Sequence, residues 1–423
     1  MSQKKLLHTP DGVRDLYYNE YAKKAAVSHH IHQVLKLYGY RDIQTPTFEF
    51  FDIFSQDKGS VPSKNMYKFV DRDGNTLVLR PDITPSIARC TSKYFMDEDM
   101  PIRLSYCGEV FQNGSGYRGQ LKEMTQMGGE LIGDATSDAD AEMLAMLIEC
   151  LLAAGLQNFQ VEVGHIGFYN GLIAEAGLDE EEQEQIRDLI ANKNYFALEE
   201  MLAEKSLSQE IKDAFVQLPK LFGTIGQIQA AKSLTSNPVC LQAISYLEEL
   251  YGIVQHYGLE EYITFDLGML GNFQYYTGII FNAYTYDTGA PIAAGGRYDK
   301  LMSQYGKDAA SIGFGIRLDN LLTAMNRQKI DIDTDIVGTI LLYDRKQKAL
   351  AIQLAGQLRS TGSSLQMMKK YYEKSIEDYI AYARRSFIGG ILYIDDTGET
   401  VQVIHCEDGR VDVVNLNEFL QVK

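Results

Sequence analysis

Apolar side chains recur at helical spacing over residues 18–38, where Ala22, Ala25, Ala26, Ile31, Val34 and Leu35 precede a helix-ending Gly39. The following GYRDIQTPTFEF predicts extended chain, because Pro46 biases Thr45 away from the helical region. MYKFVD and NTLVLR flank a turn around Asp71 to Gly74 and predict a hairpin. RPDITPSIAR comes next, then two strand candidates, IRLSYC and GEVFQN, a glycine-rich turn, and LKEMTQMGGELIG. A helix from about Asp138 to Ala154 leads into another strand, FQVEVGH.

From about 178 to 257 the pattern becomes acidic and helix-forming, in DEEEQEQIRDLI, FALEEMLAEK, SQEIKDAFVQL and AISYLEELYGIV. No fixed period recurs, so this predicts a helical insertion rather than a repeat array. Strand character returns in EYITFDLG, IIFNAYTY and SIGFGI, followed by the helix RLDNLLTAMN. Runs of strands with few helices, without strict alternation, predict an α+β core with an antiparallel sheet over residues 1–328. A polar linker at 329–336 then leads to a small α/β domain at 337–423. In that tail GTILLY, a helix near Gln347 to Arg359, SSLQMMKK, a helix near Glu377 to Ala383 and GGILYI alternate. A hairpin, VQVIHCEDGRVDVV, turns at Asp408 and Gly409.

With 423 residues and 45% hydrophobic composition, the chain is long enough for two or three packed units. Its long apolar stretch near residue 150, MLAMLIECLLAAGL, is broken by Glu149 and falls short of the roughly 18 apolar residues of a membrane span. MSQKKLLHTPDG lacks the central apolar region of a secretory signal, so a cytoplasmic protein is expected. Five scattered cysteines form no CxxC pair, and His29, His30 and His32 come without a metal-binding spacing; neither a disulfide framework nor a metal is expected. A net charge of −17 opposes the gathering of many phosphates and lowers the expectation of nucleic-acid binding.

Several short motifs recur in one order over residues 8 to 325: TPDGVRDL, RPDITPSIAR, GEVFQN, TQMGGELIG, YYTG, GGRYDKL and IGFGIRLDNL. Each is weak alone; together they resemble the histidyl-tRNA synthetases. The resemblance implies a class II aminoacyl-tRNA synthetase-like core with a helical insertion, and the tail is similar in arrangement to an anticodon-binding domain. It also implies a histidine pocket built from Asp82, Thr84, Gln126, Glu130, Tyr276 and Tyr298. Gln126 and Glu130 stand an even number of residues apart on one strand, so they share a face. A carboxylate there reads an imidazole N–H by a charge-assisted hydrogen bond. Asp82 stands where the family has a glutamate for the α-amino group, and Thr84 adds a hydroxyl. The bland alternatives are core packing for the tyrosines and a solvated strand edge for Glu130.

Activating an amino acid with ATP needs cations that stabilise negative charge on the attacked phosphate, and arginine's planar fork suits that task. By resemblance, the family's three arginines correspond to Gln112, Gly271 and Asn320, so all three cations are absent. Removing one such donor costs about a hundred- to a thousand-fold in rate. Arg317 and Arg118 are the cations weighed as replacements. With no catalytic residues and no cofactor expected, the chain resembles the regulatory subunits of ATP phosphoribosyltransferase. That resemblance implies assembly with a short-form catalytic subunit, feedback by L-histidine at the first step of histidine biosynthesis, and a homodimer within a hetero-oligomer. It implies neither tRNA nor membrane as a partner. Two other readings stay open: an active histidyl-tRNA synthetase with relocated cations, and a binding module for another amino acid or for RNA.

Overall fold

The computed structural model describes residues 7–55, 61–114, 121–270, 276–286, 288–334 and 338–416. Two compact units emerge, one formed by Met1–Arg14 and Val27–Asp331, the other by Asp15–Ala26 and Ile332–Lys423. The first half of the long N-terminal helix thus groups with the tail.

Of α1 (Tyr18–Leu37), the larger unit holds the second half, where Val27, Ile31, Val34 and Leu35 are buried and which ends before Gly39 at φ +80°. The extended segment after it divides into β1 (Arg41–Asp42) and β2 (Phe48–Phe50). Pro46 between them has no N–H to continue a ladder, and the two pieces enter different sheets. Next come α2 (Asp52–Ser55), then β3 (Lys68–Val70) and β4 (Thr76–Leu79), which form the expected antiparallel hairpin in a three-stranded sheet ordered β2-β4-β3. Helix α3 (Thr84–Tyr94) is followed by β5 (Ile102–Phe111) and β6 (Glu123–Ile132).

One continuous strand, β5, replaces the two predicted from IRLSYC and GEVFQN. Gly108 is not a break between them. A Cβ there would collide with the Arg80 guanidinium, which donates from Nε to the Glu109 carbonyl at 2.7 Å and from Nη1 to the Thr45 carbonyl at 2.9 Å.

Helix α4 (Ser137–Ala153) is apolar on most sides and almost wholly buried, with Thr136 Oγ1 capping the Ala139 N–H at 3.3 Å. After β7 (Phe159–His165), a helix absent from the sequence expectation, α5 (Ile166–Ala176), ends at Gly177 with φ +60°. The insertion follows as α6 (Glu180–Ala191), α7 (Tyr195–Ala203), α8 (Gln209–Gln217), β8 (Phe222–Gly223), α9 (Ile225–Ala230) and α10 (Pro238–Tyr257). It is helical but for β8, which joins the main sheet. The unit closes with β9 (Ile263–Asp266), β10 (Ile279–Thr285), β11 (Ala293–Arg297), β12 (Ser311–Arg317) and α11 (Leu318–Arg327).

The main sheet runs β1-β5-β6-β12-β11-β10-β7-β9-β8. It is antiparallel apart from the β1/β5 and β7/β9 pairings. On β6 the odd residues turn toward α4: a Cβ on Gly129 would lie 3.2 Å from Met146 Cε. The even residues, Gln126, Gly128 and Glu130, therefore face the other way. Arg297 of β11 ties the sheet to the helices, donating from Nε to Asp140 Oδ1 at 2.9 Å, while Tyr246 of α10 donates to Asp140 Oδ2 at 2.6 Å. No helix among the described residues is long and apolar enough to cross a membrane.

In the second unit, β13 (Gly338–Tyr343), α12 (Lys348–Ser360), β14 (Leu365–Lys369), α13 (Ile376–Arg385), β15 (Ile388–Ile394), β16 (Thr400–His405) and β17 (Val411–Asn415) follow in turn. The sheet is ordered β14-β13-β15-β16-β17. Strand β13 is parallel to both neighbours, and the last two pairings are antiparallel. Helix α12 packs Ala351 and Leu354 with Leu341 on one face, and α13 packs Tyr379 and Ala383 with Ile340 and Leu342 on the other. Gly409, at φ +77°, makes the predicted hairpin turn.

Because Arg297 and Asp140 are both buried, removing only the acid takes the guanidinium's buried counter-charge and leaves it the half-exposed Asp299 and backbone carbonyls. Asp140→Ala is expected to cost about 3–5 kcal/mol in urea unfolding. The double variant Asp140→Ala/Arg297→Leu should lose less than Asp140→Ala alone.

Candidate functional site

The site lies on the even face of β6, and glycines on the neighbouring strand make its floor. Glu130 stands opposite Gly313, Gly128 opposite Gly315, and Gln126 opposite Arg317 in the β6/β12 register. A Cβ on Gly313 would fall on the Glu130 carboxylate, and one on Gly315 on the Gln126 amide. Both long side chains therefore lie over β12 in space that any larger residue would fill. Gly296 on β11 does the same for Tyr276, whose ring Cε1 would be 2.7 Å from an added Cβ.

Glu130 is 1% exposed. Its Oε1 accepts from Thr84 Oγ1 at 2.7 Å, and its Oε2 accepts a short hydrogen bond from the Tyr298 hydroxyl. Burial raises its pKa to about 8; the two hydroxyls pull it down, and the nearby charge of Asp82 pushes it up. At neutral pH the carboxyl is mostly protonated, with one of the hydroxyls then accepting. Burial and the same carboxylate drive the Tyr298 phenol well above its usual range, so it stays a donor.

Gln126 Nε2 donates to the Tyr106 hydroxyl at 2.8 Å and lies 3.4 Å from Asp82 Oδ1. Tyr106 in turn donates to the Phe314 carbonyl at 3.2 Å. Asp82 Oδ1 also takes the Ile83 N–H at 2.7 Å, just before α3 begins at Thr84. Tyr276 packs on the apolar cluster that contains Tyr106, Tyr298 and Ile83. All six residues expected in the pocket are thus brought to one face of the sheet. Tyr106 was missed, although strand alternation along β5 places it opposite Gly128 on that face.

Of the three positions expected to lack arginine, Gln112 Nε2 donates to the Pro81 carbonyl at 3.2 Å and Asn320 Nδ2 to the Pro291 carbonyl at 3.2 Å. Both are neutral amides engaged with backbone. Gly271 and Arg118 lie outside the described residues. Arg317 was expected on the helix with Asn320; it is instead the last residue of β12, opposite Gln126. It borders a cavity of about 40 Å³ together with Asp82, Gln112 and Gln126. That volume admits a water or two but not an amino acid, so a larger ligand must move side chains. A wider hollow of about 710 Å³ runs past Ile43, Tyr94 and Met100, away from Glu130 and Gln126.

Comparison with known proteins bears on the fold and the family. A family profile described as histidyl-tRNA synthetase matches residues 12–321. The ATP phosphoribosyltransferase regulatory subunit of Acetivibrio thermocellus is 36% identical over 415 residues, covering 98% of this chain and 99% of that protein. The subunit of the same name from Ruminiclostridium cellulolyticum is 38% identical over 390 residues, covering 92% and 93%. A crystal structure from Bacillus halodurans, described as an ATP phosphoribosyltransferase regulatory subunit/histidyl-tRNA synthetase, superposes with a TM-score of 0.82 at 31% identity, covering 92% of this chain and 98% of that one. Histidyl-tRNA synthetase from a Nostoc species shares the fold, with a TM-score of 0.81 at 18% identity over 98% of each chain.

The buried acid makes stability depend on pH. Its pKa is near 4.5 in a model peptide and about 8 in the folded chain, so folding retains a proton that unfolding releases. The contribution of Glu130 is whole below about 4.5, declines as pH rises through the interval and is gone above about 8. Glu130→Gln, which mimics the protonated acid, should flatten this part of the pH dependence in thermal unfolding. An unchanged slope would place the carboxyl in the ordinary range.

Proposed function

We propose, on the premise that this chain belongs to the family of ATP phosphoribosyltransferase regulatory subunits within the histidyl-tRNA synthetase-like proteins, that it is a non-catalytic histidine sensor. The observation that carries this reading is the pairing of a buried Glu130, cradled by Thr84 and Tyr298, with neutral amides at Gln112 and Asn320. One half of the site suits an imidazole. The other half offers no arginine at the two described positions where adenylate chemistry would need one.

In this role Glu130 reads the imidazole, Gln126 and Asp82 take the α-amino group, and Tyr276 and Tyr298 wall the ring. The partner is a short-form catalytic subunit of ATP phosphoribosyltransferase, assembled with a homodimer of this chain in the cytoplasm, and no tRNA takes part. Histidine binding to one quaternary state more tightly than the other would shift the catalytic partner toward its less active arrangement. Such coupling amounts to about 1–3 kcal/mol. Adding L-histidine to the catalytic subunit with and without this chain tests it. Inhibition should appear at lower histidine concentration when the chain is present; equal inhibition in both mixtures contradicts the regulatory role.

Proton counting gives a second test. Imidazole loses its proton near pH 6.5, while Glu130 keeps one up to about pH 8. Between these values the free pocket brings one proton and the ligand none, which is what a carboxylate–imidazolium pair requires. Below the window a proton must be released on binding, and above it one must be taken up. Histidine affinity by calorimetry should therefore be nearly flat between about 6.5 and 8 and fall on both sides, by up to about tenfold per pH unit. A monotonic profile from pH 5 to 9 would contradict the pairing.

A further inference from the structure

One cation in the pocket has no assigned task. Arg317 ends β12 opposite Gln126, so its side chain leaves the sheet on the same face as Gln126 and Glu130. Its backbone N–H is used, donating to the Ile292 carbonyl at 2.8 Å. Among the described residues its guanidinium forms no hydrogen bond or ion pair, in contrast to Arg80 and Arg297, which are each held by several partners. Partial burial lowers its pKa, while Asp82, Tyr276 and Tyr284 act in the opposite direction. Arg317 borders the same small cavity as Asp82 and Gln126, at the N-terminus of α11, where the helix dipole adds positive potential.

This places an acid and a base on the rim of one cavity without joining them to each other. An α-amino acid carries the complementary pair, an ammonium and a carboxylate one carbon apart. Arginine's planar fork can take both carboxylate oxygens at once. A neighbouring glycine, Gly315, keeps the strand beside the guanidinium clear of side chain.

We propose that Arg317 anchors the α-carboxylate of the amino acid bound in this pocket, with Asp82 holding its ammonium group. The anchor presupposes the histidine binding proposed above and adds the determinant that separates a free amino acid from an imidazole-bearing amine or alcohol. It also gives the cation a role in recognition at a position distinct from Gln112 and Asn320.

The test is a calorimetric cycle between ligand carboxylate and Arg317, using L-histidine and L-histidinol on the wild-type chain, Arg317→Gln and Arg317→Lys. The wild type should prefer L-histidine over L-histidinol by about tenfold or more, as expected for a charged hydrogen-bonded contact. Arg317→Gln should bind L-histidine about as weakly as the wild type binds L-histidinol, with L-histidinol affinity little changed. Arg317→Lys, which keeps the charge and loses the fork, should fall between. A variant that weakens both ligands equally, or one that preserves the wild-type preference, overturns the anchor while leaving the histidine sensor intact. No preference in the wild type, which needs no variant to fold, overturns it as well. Binding of neither ligand by the wild type removes the sensor and the anchor together.

Discussion

A carboxyl group buried against a glycine floor organises the site. Glu130 can lie where it does because Gly313 has no side chain, and it can stay there because Thr84 and Tyr298 occupy its two oxygens. These two hydroxyls come from the start of α3 and the residue after β11. Three separate pieces of chain must therefore be in register for one acid to be satisfied. An unsatisfied carboxyl at 1% exposure would cost several kcal/mol, so the pocket and the sheet stand or fall together.

Buried cations of the fold are committed to structural partners, and two positions that the family resemblance aligns with arginine hold neutral amides. Arg80 is committed to carbonyls and Arg297 to Asp140, both inside the fold. Gln112 and Asn320 spend their amides on the Pro81 and Pro291 carbonyls. Among the described residues, Arg317 is a cation on the pocket face whose guanidinium has no hydrogen-bond partner. On the proposed reading, this distribution serves recognition of a small zwitterion rather than stabilisation of a pentavalent phosphate.

Much of the fold was legible because period and punctuation agreed. Helical spacing with Gly39 bounded α1, and the MYKFVD and NTLVLR runs around Gly74 made the hairpin of β3 and β4. Even spacing on TQMGGE put Gln126 and Glu130 on one face. Three features were hidden for physical reasons. The strand β5 was divided into two candidates because the purpose of Gly108, space for Arg80, depends on a contact distant in sequence. Helix α5 was overlooked because its glycines and aromatic residues have poor helix propensity, while burial of Phe168, Leu172 and Ile173 overrides that preference. Arg317 was placed on the helix because the strand passes directly into α11, and residue spacing alone does not mark that border. The floor glycines Gly313 and Gly315 were visible in SIGFGI, but their task follows from register, which the sequence does not display.

The most direct test of the central interaction is infrared difference spectroscopy of the wild-type chain against Glu130→Gln at pH 7. Glu130 should give a protonated carboxylic-acid band in the ligand-free protein, replaced by carboxylate bands when L-histidine saturates the pocket. Absence of the acid band without ligand, or its persistence unchanged under saturating L-histidine, would contradict it.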